Sequence, residues 1–183
     1  MKNFQKLGIL LILCLFLLPS CKKDIPALLY QSGGYIQGSI IGISKDGTGL
    51  NESLGYDKFE SLSDANYVIY DTYNTFDIKR SDPNNDCFIR ITFQRSVLGN
   101  ITNKFFTIRY VKELANNKLL IYAPFGSEIK TFDLLDVIFD SNTGYLKGRF
   151  AVSIEMNSGG TPSVKRLSTI SGDFDLTVYQ LVK

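Results

Sequence analysis

Beyond residue 34 the chain is a succession of short runs in which apolar and polar residues alternate, broken by turn residues. A period of two is the mark of a strand with one face buried and one face wet. The clearest run is Tyr145 to Met156, where Leu146, Gly148, Phe150, Val152, Ile154 and Met156 fall on one face. Tyr145, Lys147, Arg149, Ser153 and Glu155 fall on the other. Cys87, Ile89, Ile91 and Phe93 alternate with Arg90, Thr92 and Gln94, and Phe106, Ile108 and Tyr110 alternate with Thr107 and Arg109. Tyr35 to Ser44, Tyr67 to Tyr73, Phe76 to Arg80, Leu119 to Ala123 and Val137 to Asp140 are further strand candidates. Lys45-Asp46-Gly47, Ser81 to Asp86, Asn116-Asn117 and Asn142-Thr143-Gly144 supply turn chemistry between them. Residues 56–65 and 127–135 fit neither period, and the first reads as a loop or a single helical turn.

No stretch sustains a 3.6-residue period with caps, so residues 35–183 read as one all-β domain. Eight to ten short strands with frequent turns predict an antiparallel β-sandwich, with a closed lipocalin-like β-barrel as the alternative. Leu146-Lys147-Gly148-Arg149-Phe150 reappears as Ile170-Ser171-Gly172-Asp173-Phe174, and Ser158-Gly159-Gly160 is a natural hairpin turn between them. Centring the hairpin on Gly160 sets Gly148 opposite Gly172, Phe150 opposite Ile170 and Lys147 opposite Asp173. Leu167 interrupts the alternation, which predicts a bulge near Arg166–Ser168.

The first twenty residues follow a different pattern. Lys2 and Lys6 precede an uncharged run from Leu7 to Leu18, too short for the roughly 20 residues of a membrane span. Charge, apolar run, small residue and cysteine, in that order, are the parts of a secretory signal. Leu18-Pro19-Ser20-Cys21 resembles the lipobox of a bacterial lipoprotein, and Ser20-Cys21-Lys22-Lys23-Asp24 is similar to the mature start of outer-membrane lipoproteins of the Bacteroidota. The resemblance implies a signal-peptide helix over 1–20, cleavage before Cys21, diacylglycerol on its sulfur and an acyl chain such as palmitate on the new amine. Several chains together make a stable anchor where one binds marginally. Residues 21–34 then read as a lipidated, flexible tether. The ending, a Gly-x-Phe strand, a loop and Ile170 to Asp175, resembles the C-termini of uncharacterised lipoproteins from the same bacteria and carries no catalytic motif. Outer-membrane localisation and a membrane partner reached through Cys21 follow from the resemblance; the face of the membrane does not.

Composition narrows the chemistry. Removing residues 1–20 from the 183-residue chain leaves 163, enough for one core. The signal holds two of the 20 Lys and Arg and none of the 18 Asp and Glu, so the remainder carries 18 of each sign. No surplus cation is left to neutralise phosphates, which argues against nucleic acid. The chain has no His, which removes Ser-His-Asp and Cys-His machinery and imidazole-ligated metals. Cys14 leaves with the signal and Cys21 is lipidated, so Cys87 has no disulfide partner and reads as a buried thiol.

Few residues suggest a site. Tyr67, Tyr70 and Tyr73 with Phe76 form the densest aromatic run, and an exposed Tyr there could stack on a sugar. Asp82, Asn84 and Asp86 place oxygens at alternate positions as a calcium loop does, but Cys87 and Phe93 stand where that loop needs Gly and Glu. Ser127-Glu128-Ile129-Lys130 matches Ser-x-x-Lys without its companion motifs. Asp173 with Asp175, and Asp133 with Asp136, are the carboxylate pairs a glycan hydrolase would need, although a polar strand face explains the first pair as well. No cofactor is implied. The reading is a lipid-anchored envelope protein with a non-enzymatic binding or accessory role toward a glycan or an envelope protein. The alternatives are a small-molecule carrier built as a barrel and a carboxylate-based hydrolase.

Overall fold

A computed structural model describes residues 33–56, 67–70, 73–82, 86–158 and 162–180. Among them are eleven strands and two short 3-10 turns. The strands are β1 (Gly34–Ile43), β2 (Gly49–Tyr56), β3 (Tyr67–Tyr70), β4 (Thr75–Ser81), β5 (Phe88–Arg95), β6 (Ile101–Leu114), β7 (Lys118–Tyr122), β8 (Ile129–Asp140), β9 (Tyr145–Asn157), β10 (Lys165–Thr177) and β11 (Tyr179–Gln180). They form a five-stranded sheet ordered β2-β1-β10-β9-β8 and a six-stranded sheet ordered β11-β3-β4-β5-β6-β7. Every pairing is antiparallel except the short β11–β3 pair. The two sheets are not closed on each other, so the chain is a β-sandwich and the lipocalin-like barrel is not formed.

The period-two faces predict the core well. Leu146, Phe150, Val152, Ile154 and Met156 of β9 are buried, as are Cys87, Ile89, Ile91 and Phe93 beside and within β5. Phe106 of β6 meets Phe132 of β8 and Phe150 of β9 across the sandwich, with ring centroids 5.5 and 5.8 Å apart. Phe76 of β4 packs edge-on against Phe139 of β8 at 4.8 Å. At the edge of the sandwich, Lys112 Nζ and the Tyr110 hydroxyl of β6 donate to Glu52 of β2 at 2.7 and 2.9 Å, joining the sheets.

Several expectations are corrected. The β9–β10 hairpin is offset by two residues from the predicted pairing: Gly148 lies opposite Phe174, and Phe150 opposite Gly172. A two-residue offset keeps every side chain on its face, so the hydrophobic pattern cannot choose between the two registers. Ring size chooses. A Cβ on Gly148 would stand 2.6 Å from Phe174 Cζ, and one on Gly172 would stand 2.8 Å from Phe150 Cζ. Each ring therefore lies over a glycine of the neighbouring strand, an arrangement that covers backbone otherwise left bare. On the outer face the same offset pairs Arg149 with Asp173 and Lys147 with Asp175, two opposite-charge pairs.

No bulge occurs at Leu167, because β10 stays in register with β9 from Lys165 to Thr177. Leu167 faces solvent, and Ser168 takes the buried position and hydrogen-bonds the Tyr122 hydroxyl of β7. The strand candidate Tyr67–Tyr73 ends at Tyr70, and Tyr73 stands in the turn before β4. Residues 127–135 hold the end of a 3-10 turn (Gly126–Glu128) and the start of β8, which runs well ahead of the predicted Val137. The signal, Cys21 and nearly all of the tether lie outside the described residues, as do residues 57–65 of the first unassigned stretch.

Candidate functional site

The outer face of the five-stranded sheet carries a cleft of about 310 Å³ lined by Tyr35, Asp136, Lys147, Gly148, Arg149, Asp173, Phe174 and Asp175. That is the lower end of the size range of small-molecule pockets. Three strands supply most of its wall. Tyr35 of β1 pairs with Asp175 of β10, which pairs in turn with Lys147 of β9. One step along, Gln37, Asp173 and Arg149 form the next row, so acceptors and donors alternate across the sheet.

The fourth strand reaches the site through an irregularity. Between Leu135 and Ile138, β8 has one more residue than β9 opposite, a bulge in which Asp136 adopts a positive φ of 52°. Aspartate tolerates this left-handed geometry better than most side chains. Asp136 Oδ2 accepts from Arg149 Nε at 2.9 Å and from its Nη2, and the bulge seats Val137 next to Gly148.

The acids of the cleft already act as acceptors. Gln37 Nε2 donates to both oxygens of Asp173 at 3.2 and 3.3 Å, and the Tyr145 hydroxyl donates to Asp175 Oδ2 at 3.0 Å. Loss of surrounding water, and then the charges of Asp173 and Asp175, raise Tyr35 above the ordinary phenol range. The hydrogen bond to Asp175 does the same to Tyr145. Beyond the cleft the outer face carries Ser39, Ser171, Thr169, Ser153 and Thr131, with the last two hydroxyls 2.7 Å apart, interspersed with Ala151 and exposed Ile41. A concave group of carboxylates, cations and a phenol beside several surface hydroxyls can satisfy a ligand with many hydroxyl groups.

No protein-family model, curated protein or solved structure matches the chain.

The residues singled out in the sequence scatter. Cys21 and Asn84 lie outside the described residues. Tyr67 and Tyr70 are in β3, in register with Lys79 and Phe76, and their side chains lie outside the described residues; Tyr73 is strongly exposed. Asp82 serves the β4–β5 turn: its Oδ1 accepts from the Cys87 N–H at 3.0 Å, and its own N–H donates to the Cys87 carbonyl. Asp86 is exposed. Ser127 sits in a 3-10 turn and Lys130 in a strand, so no helix brings them onto one face. Asp133 pairs with Lys104 at 3.5 Å and does not line the cleft that Asp136 enters. Asp173 and Asp175 do share the cleft. Tyr35, Gln37, Tyr145 and Arg149 were not singled out, since only the strand order brings β1 beside β10.

Proposed function

We propose that this chain is a cell-envelope lipoprotein, anchored in the outer membrane through acylated Cys21, whose sandwich is a non-enzymatic binding domain for a glycan. The Leu18–Cys21 motif supports the anchor. The observation that carries the binding role is the cleft, where Asp136, Asp173 and Asp175 stand among Lys147, Arg149 and the Tyr35 phenol, with the Tyr145 hydroxyl bonded to Asp175 beside it. Sugar hydroxyls both donate and accept, so they are matched by such a mixture, and the Tyr35 ring adds an apolar face for a pyranose.

The test is a thermal-shift screen of the mature chain against glycans, lipids and calcium, followed by Asp173→Asn with Tyr35→Ala. A bound class raises the melting temperature by mass action. A glycan-specific rise that the double variant loses supports the reading; a panel without any glycan effect refutes it. A carboxylate-based glycan hydrolase is the second reading, favoured by three aspartates lining one cleft. Release of reducing ends that Asp173→Asn or Asp175→Asn abolishes would replace the binding role by this one.

A further inference from the structure

Val97, Leu98 and Tyr73 are the most exposed large hydrophobic residues described, at 92, 85 and 77 %. All three sit at one end of the sandwich. The Arg95 N–H donates to the Asn74 carbonyl at 3.0 Å, which holds the Tyr73–Asn74 turn against the base of the β5–β6 hairpin. That hairpin is a tight, fully bonded turn: Gly99 N–H to the Ser96 carbonyl at 2.9 Å, Ser96 N–H to the Asn100 carbonyl at 2.9 Å, and Asn100 N–H to Ser96 Oγ at 3.1 Å. Central positions of such turns favour Gly, Asn, Asp, Pro and Ser, yet Val97 and Leu98 occupy them here. Isolated apolar residues on a surface call for no explanation, but a rigid turn tipped with two of them beside an exposed Tyr does.

The chain enters the domain at this same end. The Thr177 N–H donates to the Gly33 carbonyl at 3.1 Å, and the Val178 N–H donates to Gly144 in the β8–β9 turn at 2.6 Å. Ser141 of that turn shares a cleft of about 160 Å³ with Ser96, Val97 and Arg95. Residues 22–32 join Cys21 to Gly33 and reach at most about 40 Å when fully extended. We infer that Val97, Leu98 and Tyr73 form a membrane-facing tip that dips into the bilayer holding the Cys21 lipid, seating the domain upright with the glycan cleft on its flank. This rests on the anchor reading and not on the cleft. The occupant is a lipid surface because the apolar tip and Gly33, from which the chain leads back to Cys21, lie at the same end of the domain. Phenol rings such as that of Tyr73 favour the boundary between headgroups and acyl chains.

The chain contains no Trp, so a single introduced Trp reports its own position. Leu98→Trp and, at the opposite end beside the start of β10, Val164→Trp are compared in the mature protein reconstituted in phosphatidylethanolamine vesicles with brominated acyl chains. Leu98→Trp emission is expected to shift to the blue and be quenched by bromine, and Val164→Trp emission to do neither. Mass spectrometry of the same sample reads the lipid on Cys21. A lipidated chain whose two reporters behave alike overturns the tip and leaves the anchor standing, as when another envelope protein covers those residues. A chain without lipid on Cys21 overturns the anchor, and this inference with it.

Discussion

The two phenylalanines laid over glycines make a sharp prediction about stability. Alanine at 148 places its Cβ 2.6 Å from Phe174 Cζ and 3.0 Å from Val137 Cγ2, both ends of side chains. Phe174 is fully buried, so its ring has to move against packed neighbours, and overpacking of this kind costs about 1–3 kcal/mol. Alanine at 172 meets backbone as well. Its Cβ would stand 2.0 Å from the Gln37 carbonyl oxygen and 2.8 Å from the Gly38 Cα, besides the Phe150 ring. Relief then requires β10 to draw away from β1 where Gly38 and Gly172 face each other, and the cost exceeds the roughly 3 kcal/mol upper end of ordinary overpacking. Gly55 is the control: nothing lies within 4 Å of its Cβ position. Alanine there leaves the fold intact or stabilises it by about 0.4–1 kcal/mol through the unfolded chain.

Urea unfolding at constant slope measures the three differences, and melting temperature gives a second scale at roughly 2–4 °C per kcal/mol for a domain of this size. The expected order of loss is Gly172→Ala, then Gly148→Ala, then Gly55→Ala. Shortening the ring by Phe174→Leu should rescue Gly148→Ala in part, with a coupling of about 0.5–3 kcal/mol, and should do nothing for Gly172→Ala. Equal midpoints for Gly148→Ala and Gly55→Ala, or no coupling to Phe174, would mean that the strands are paired in another register.

Three further outcomes are expected. Tyr122→Phe strands the buried Ser168 hydroxyl and should cost about 1–3 kcal/mol in urea unfolding, whereas Tyr122→Phe with Ser168→Ala recovers most of it. The hydrogen bond from Lys112, ahead of that from Tyr110, holds Glu52 below the ordinary carboxylate range. Its stabilising share is therefore complete above the unfolded-state pKa and disappears as pH falls through the lower folded value. The melting temperature of the parent should exceed that of Glu52→Gln at neutral pH and converge with it in strong acid; a gap independent of pH refutes the assignment. Burial raises the Cys87 thiol pKa, and its sulfur is engaged with the Val111 backbone, so a thiol reagent should modify it only at the rate of unfolding.

The period of two was enough to place the inner face of β5, β9 and β10, because burial on one side of a sheet is a local property that each strand records in its own residues. Register is not local in that sense. The turn between β9 and β10 contains glycines on which more than one centre fits, and the choice between them fell to ring-over-glycine contacts that a hydropathy pattern does not encode. Leu167 shows the converse error. Its size suggested an inward position and hence a bulge, yet Ser168 goes inward because Tyr122, on the other sheet, supplies its hydroxyl with a partner. The start of β8 was hidden for a related reason: the extra residue at Asp136 breaks its period, and a bulge is defined by the strand opposite.

The cleft tests how far density along a chain stands for density in space. Tyr67, Tyr70 and Tyr73 are close in sequence, yet the strand ends at Tyr70 and Tyr73 turns away toward the chain-entry end. Tyr35 and Tyr145, far apart in the chain, stand on either side of Asp175 because β10 lies between β1 and β9. Asp173 and Asp175 looked like ordinary solvated charge on a polar face, a fair reading of β10 taken by itself. What separates them from such charge is the company brought by neighbouring strands: Gln37 from β1, Arg149 and Tyr145 from β9, and Asp136 from the bulge in β8. A site assembled in this way is invisible to any reading of one segment at a time. It becomes predictable once strand order and register are known, since every member then sits in the row of Asp173 or close to it.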